Sequence, residues 1–419
     1  ARAPDRRSAR LAFAALLALY FFSYFQRCAI PGTIFNELQR EWSLSASAVI
    51  ALGSVFLWIY GLMQLVVGIA ADRFGGTRML LAGGVILATG ATLFPLSRSP
   101  DMLYASRAVA AFGDSFVYLC IVKELSLLFA PRRFAPLVGI VSFVAGCGGM
   151  AAMLPLERAV HFFGWRHALL AVGGSTFAVV GLAGLLLRKL NSLPPAMSAF
   201  TLRPMLDILR NRLNWPMFVG CAINFPLYFV IQTGLGKKFM QDFAGLSSPQ
   251  AATFTLIMMA VTAVSSLAGG LALQHTGGRR KPYLFVGTGL LLAAMVLMLA
   301  GVLWRGGPWV FLAGYILLAL SNIASPIGST VMKELNDSRY VAQSLALVNT
   351  LVYFGVVAWL TLSGTILDLF QAGAVHTPDG VIYPPRAYAI VLAIFSGLAA
   401  ISLVATCRVK ETHGTPAAS

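Results

Sequence analysis

Charge is scarce in this 419-residue chain: Asp, Glu, Lys and Arg make up 11% of it, with only 15 acids against 31 basic residues. A chain so poor in charge does not have the composition of a water-exposed globular domain. Cysteine is sparse as well. Cys28, Cys120, Cys147, Cys221 and Cys407 lie far apart, without CxxC spacing or histidine partners, which excludes a metal site built on them and leaves them as small core residues. His161, His167, His275, His376 and His413 fall near helix ends or in tails. No GxSxG, HExxH or phosphate-binding loop occurs, and no polar stretch is long enough for a soluble signalling domain. Neither an enzyme nor a sensor is therefore expected, and no cofactor or metal.

Apolar sequence is what the chain has in quantity, at 58% hydrophobic residues and a mean hydropathy of +0.79. A membrane-crossing helix needs about 20 mostly apolar residues. Twelve such runs are expected, near 11–36, 46–71, 77–97, 101–126, 135–156, 166–187, 215–239, 250–273, 283–303, 308–333, 339–370 and 387–407. The fold class is then an all-α integral membrane protein with twelve transmembrane helices. The first run, at roughly 26 residues, is too long for the apolar core of a cleaved signal peptide and is expected to remain as the first helix. The net charge of +16 does not point to nucleic acid, because the charges sit in short connections rather than on a solvated basic face. Arg2, Arg6, Arg7, Arg10, Arg132, Arg133, Arg279, Arg280 and Lys281 all fall on one side of the membrane if the spans alternate. That asymmetry places both termini in the cytoplasm.

The apolar pattern breaks between Arg188 and Pro216, where Pro194 and Pro195 stand among Arg188, Lys189, Arg203, Arg210 and Arg212. The break divides the chain into a first six-helix bundle, 1–187, a cytoplasmic linker, 188–214, and a second bundle, 215–419. The amphipathic part of the linker, Leu202 to Leu213, is expected to lie along the membrane surface. Sequence repeats relate the halves. Gly68-IAA-Asp72-Arg73-Phe74-Gly75-Gly76-Thr77-Arg78 in the first corresponds to Gly270-LAL-Gln274-His275-Thr276-Gly277-Gly278-Arg279-Arg280 in the second, and VKELS at 122–126 corresponds to MKELN at 332–336. Duplicated six-helix units with a site at their interface are the architecture of secondary transporters. The first repeat resembles the GxxxDRxGxR loop of the major facilitator superfamily, and the likeness extends through helix number and spacing over essentially the whole chain. It implies that Asp72, Arg73 and Arg78 latch the cytoplasmic side closed, with Gln274 replacing the acid in the second copy. Arg107-AVA-Ala111-Phe112-Gly113 resembles the superfamily's RxxxGxG pattern, and the glycines from Gly139 to Gly149 suit close helix packing. The resemblance also implies a functional monomer, and the expected location is a bacterial inner membrane.

Ionisable groups deep in a bilayer are costly and require partners or water. Arg27, in the first span, and Asp114, near the middle of the fourth, lie at similar depths and can meet if their helices face one cavity. Tyr20 and Tyr24 share the face of Arg27; Tyr60 and Gln64 share a face of the second span, and Asp114 and Tyr118 one of the fourth. The second half carries uncharged stripes instead: Asn224, Tyr228 and Gln232; Asn322 with Ser329; Asn349 with Tyr353. Interhelical hydrogen bonding is the alternative role for each stripe. Gly234 and Gly236, before Lys237 and Lys238, mark a candidate outer gate, while Met258 and Met259 read as packing residues.

A guanidinium is always charged and binds a carboxylate or phosphate with two parallel hydrogen bonds. Burial favours a neutral carboxyl and an adjacent arginine favours the charged one, so an anion engaging Arg27 releases Asp114 to take a proton. A purely structural ion pair is the other reading. Tyr24-Phe25-Gln26-Arg27, with an acid seven residues after Arg107, resembles the anion:cation symporter and organophosphate:phosphate antiporter branches. In those branches the arginine of the first helix contacts an anionic substrate, and in the symporters an acid on the fourth helix joins in proton coupling. Gln26 stands where the symporters commonly carry an acid, and Gln232 near where the phosphate-ester exchangers carry a second arginine. A single such arginine favours a carboxylate over a dianionic phosphate ester. The expected function is proton-coupled symport of a small organic anion by alternating access, with Arg27 binding the anion, Asp114 exchanging the proton, and the tyrosine and amide stripes selecting the rest of the substrate. An amino-acid transporter or drug exporter of the same fold is the alternative.

Overall fold

The structure, a computed structural model, describes residues 6–128, 131–187, 203–272, 279–336, 341–377 and 380–411. It is an all-α membrane fold in which ten stretches of the described residues are long and apolar enough to cross a membrane. The chain forms two compact units, Ala1–Ile34 with Val55–Phe200 and Phe35–Ser54 with Thr201–Ser419. The first contains α1 (Arg6–Ala29), most of α3 (Ala46–Phe74), α4 (Gly76–Leu93), α5 (Pro100–Leu128), α6 (Pro131–Ala151) and α7 (Leu154–Leu187). Its helix α4 packs along α5 and α7, and α1 along α6. Two expected glycine positions explain the close approach. A Cβ on Gly113 would lie 2.2 Å from the Leu87 nitrogen of α4, and one on Gly148 would lie 2.3 Å from the Phe21 carbonyl of α1. No side chain fits at either point.

The first span stops earlier than its apolar run. Helix α1 ends at Ala29, because Pro31 has no N–H to continue the ladder, and the chain passes through a tight turn at Gly32–Ile34 into α2 (Phe35–Trp42). Helix α2 and the first turns of α3 belong to the second unit. There the Asp368 carboxylate accepts from the Ala46 and Ser47 N–H groups, at 2.8 and 3.2 Å, and so caps the start of α3.

The second unit continues with α8 (Arg203–Arg210), α9 (Trp215–Phe229), α10 (Gly236–Asp242), α11 (Ser248–Ala272), α12 (Lys281–Leu303), α13 (Pro308–Leu320), α14 (Ser325–Leu335), α15 (Val341–Leu369) and α16 (Pro385–Cys407). Helix α12 packs along α16, α9 along α15 and α11 along α13. Two expected spans are interrupted. The seventh contains a π turn, Val230–Leu235, between α9 and α10; the tenth contains a 3-10 turn, Ser321–Ala324, just before Pro326. An antiparallel hairpin, β1 (Val375–Thr377) with β2 (Gly380–Ile382), fills the connection before α16.

Helix α8 occupies the linker, whose residues 188–202 lie outside the described ones. Its Ile208 is buried among Met217, Phe218, Leu284, Val331 and Val409, a burial worth about 1.5–3 kcal/mol. Asn214 fixes the junction with α9: its amide donates to the Ile208 carbonyl at 2.9 Å and exchanges hydrogen bonds with Asn336 at 2.8 and 3.2 Å.

The KE dipeptides of the repeat occupy equivalent places. In the first unit, Lys123 donates to the Ala71 carbonyl near the end of α3 at 2.8 Å, and Glu124 accepts from Thr77 in the first turn of α4. In the second, Glu334 pairs with Arg280 at 3.1 Å at the start of α12, whose Arg280 and Lys281 N–H groups are taken by Glu411 at 2.7 and 3.0 Å. Each acid thus stands at the start of the helix after the glycine loop, where partial positive charge gathers. Arg78 is exposed; the side chains of Asp72 and Arg73 lie outside the described residues.

Candidate functional site

The charged cluster of the first unit is built on α1, α3 and α5. Arg27 is 4% exposed and Asp114 is 0% exposed, and Arg27 Nη2 lies 2.7 Å from Asp114 Oδ2. Ser23, one turn before Arg27, donates to Asp114 Oδ1. Two rings flank the guanidinium: the Tyr60 centroid lies 4.0 Å from Arg27 Cζ, and that of Tyr24 lies 5.2 Å away. Such contacts are worth about 2 kcal/mol when desolvated. Tyr20 stacks on Tyr118 at 5.5 Å and meets Tyr24 edge-on at 6.3 Å. Six of the residues named from the sequence, Tyr20, Tyr24, Arg27, Tyr60, Asp114 and Tyr118, therefore form one connected group.

Two members of the neighbourhood, Ser23 and Arg107, carry roles that sequence reasoning missed. Ser23 shares the face of Arg27, four residues away, but a single serine on an apolar helix gives no signal of its own. Arg107 is 1% exposed and belongs to the interior. It donates to the Gln26 carbonyl at 3.1 Å and lies 4.2 Å from the Phe56 ring centroid. That carbonyl is one of the last four of α1, which have no partner within the helix, so Arg107 holds the turn that carries Arg27. Its spacing of seven from Asp114 was the available clue. Gln26 and Gln64 are both buried, and their Nε2 groups have no hydrogen-bond acceptor among the described residues. The neighbourhood therefore contains two guanidinium groups and one carboxylate, while the two buried amide donors lie on the same helices, α1 and α3.

In the second unit, Asn224, Asn322, Asn349 and Tyr353 line one cavity of about 200 Å3. Tyr228 and Gln232 do not. Tyr228 is buried beside Phe225, with ring centroids 5.8 Å apart, and Gln232 lies in the π turn, where its amide donates to Met259 Sδ at 3.0 Å. The wider turn moves Gln232 off the i, i+4 stripe, and Met259 is an acceptor as well as a packing residue.

A second buried ion pair lies beyond the π turn. Lys238 Nζ is 2.7 Å from Asp242 Oδ1 and also donates to the Val381 carbonyl of β2. Asp242 Oδ2 accepts from the Tyr383 N–H at 3.0 Å and from Tyr388 Oη at 2.7 Å. Gln39 of α2 donates to Tyr383 Oη at 3.1 Å. Burial pushes the Tyr383 hydroxyl above the usual tyrosine range, and the hydrogen bond from Gln39 partly offsets this. Gly234 lies in the π turn and Gly236 directly after it, and the segment beyond them is clamped to the hairpin through Lys238.

Comparison with known proteins agrees with this architecture. The mouse Monocarboxylate transporter 11 is 26% identical over 352 residues, covering 80% of this chain and 76% of that protein. The human Monocarboxylate transporter 7 is 28% identical over 167 residues, covering 39% of this chain and 31% of that protein. The chain thus matches less than a third of the length of the latter. Among solved structures, a bacterial homolog of the human lysosomal transporter Spinster, in an inward-facing and occupied conformation, superposes with a TM-score of 0.74 at 18% identity, covering 97% of both chains. A POT family transporter in complex with 5-aminolevulinic acid gives a TM-score of 0.78 at 13% identity, covering 96% of this chain and 97% of that one. At these identities the structures speak for the fold alone. Residues 16–358 match the sequence family described as Major Facilitator Superfamily. With most of its length matched, this chain belongs to the major facilitator superfamily and is a transporter, not an enzyme.

Proposed function

We propose that the chain moves a small organic anion, a carboxylate by preference, together with a proton, by alternating access. The observation that carries this reading is the buried Arg27–Asp114 contact at 2.7 Å within membrane-spanning helices. The carboxylate of a substrate takes the place of Asp114 on Arg27, with Gln26 and Gln64 offering further donors. Asp114 then takes the proton. Ser23 serves both states, since a hydroxyl that donates to a carboxylate can also accept from a carboxylic acid. An anion entering with a proton leaves the charge of the cluster unchanged, which avoids adding net charge to a low-dielectric interior. The two relatives named as monocarboxylate transporters support the choice of a carboxylate.

The same reading places both termini in the cytoplasm, the chain in a bacterial inner membrane as a monomer, and Asp72, Arg73 and Arg78 in a cytoplasmic latch. A thermal-shift screen of purified protein against carboxylates, phosphate esters, amino acids and cationic drugs, repeated with Arg27→Gln, tests the substrate class. Carboxylates should stabilise the wild type and lose most of that effect in the variant. Stabilisation by amino acids or cationic drugs alone, or an identical anion response from Arg27→Gln, refutes the assignment.

A further inference from the structure

The cavity of the second unit differs in kind from the charged cluster of the first. Among the described residues, its lining contains no Asp, Glu, Lys, Arg or His. Its polar groups come instead from Asn224, Ser321, Asn322, Asn349, Tyr353 and Thr406, and its apolar walls from residues such as Phe225 and Val352. Two of the amides are held in place by the protein. Asn224 Oδ1 accepts from Ser402 Oγ at 2.6 Å, which leaves its NH2 as a donor; Asn322 Nδ2 donates to the Leu318 carbonyl at 3.3 Å, which leaves its oxygen as an acceptor. A volume of about 200 Å3 exceeds the share of one water by about sevenfold at ~30 Å3 each.

We propose that this cavity is a binding site in its own right for an uncharged molecule with a hydrogen-bonding head, able both to donate and to accept, and an apolar body about the size of an aromatic ring. A charged ligand is disfavoured because none of the described lining residues can neutralise it, and removing a charge from water without a partner costs several kcal/mol. A primary amide or a similar group can use both the donor of Asn224 and the acceptor of Asn322, while the apolar walls take the ring. The site does not depend on the transport reading. Its ligand is recognised without Arg27 and without a proton.

Benzamide, with benzoate as its charged counterpart, tests this on the purified full chain. Benzamide should raise the melting temperature of the wild type, bind Arg27→Gln as tightly as wild type, and bind Asn322→Ala and Asn349→Ala about fivefold more weakly, the loss of one net hydrogen bond in each. A second measurement needs no variant. Cys221 lines the cavity whereas Cys407 does not, so benzamide should slow alkylation by N-ethylmaleimide at Cys221 and leave Cys407 unchanged, with benzoate protecting neither. Absence of both the shift and the protection, as for a cavity that holds water only, overturns the proposal, as does loss of benzamide binding in Arg27→Gln. Failure of anion binding alone refutes the transport reading and leaves this one standing.

Discussion

Asp114→Asn should produce a protein that needs an anion to be stable. The substitution keeps the size of the side chain and removes its charge, leaving Arg27 at 4% exposure without the carboxylate 2.7 Å away. Removing one partner of a buried pair costs about 3–5 kcal/mol, chiefly because the remaining charge is uncompensated. Here Arg107 adds a second guanidinium to the same neighbourhood, so the cost should fall in the upper part of that range. A carboxylate bound at Arg27 replaces the missing charge. At 100 times its Kd, a ligand contributes about 2.7 kcal/mol, enough to restore more than half of the loss. The assay is thermal unfolding of wild type and Asp114→Asn over a benzoate titration, with an uncharged solute of equal concentration as control. The variant should melt well below the wild type without benzoate, gain more from it than the wild type does, and bind it with less dependence on pH. An Asp114→Asn protein as stable as the wild type, or no more responsive to benzoate, refutes the argument that this interior requires a counter-charge.

Other perturbations separate the parts of the account. Tyr60→Leu removes the ring 4.0 Å from the Arg27 guanidinium and should cost about 2 kcal/mol in unfolding measurements, whereas Tyr60→Phe should retain most of it. Asp368→Ala uncaps α3 and should cost about 0.5–2 kcal/mol, seen as faster hydrogen exchange at the Ala46 and Ser47 amides. Asn214→Ala breaks the exchange with Asn336 and should lower stability by about 1–3 kcal/mol, with faster proteolysis in the linker. Gly113→Val drives a side chain into the backbone of α4 and should abolish folded expression, while Gly174→Ala, with open space at its Cβ, should be tolerated.

The membrane helices could be located from the sequence because each needs about 20 apolar residues, and Arg27 and Asp114 could be singled out because a charge in that setting demands a reason. Their partnership followed from depth and from shared faces. What escaped depends on contacts between residues remote in sequence. Nothing local ties Arg107 to the Gln26 carbonyl, 81 residues away, and Asp368 caps Ala46 across more than 300. The end of α1 at Ala29 was marked by Pro31 but hidden by the apolar run continuing past it. The polar stripe from Asn224 to Gln232 assumed an unbroken helix, and the π turn at Val230–Leu235 breaks it. The hairpin at Val375–Ile382 has too short an alternating pattern to read as strands, and it holds its shape through Lys238, Asp242 and Tyr383.

The most direct test of the central claim is uptake of a radiolabelled monocarboxylate such as benzoate into proteoliposomes with an imposed pH gradient, comparing wild type, Arg27→Gln and Asp114→Asn. The account predicts uptake by the wild type that rises when the external side is acidified, none by Arg27→Gln, and exchange without response to the gradient by Asp114→Asn. Gradient-driven uptake by Arg27→Gln equal to that of the wild type contradicts it.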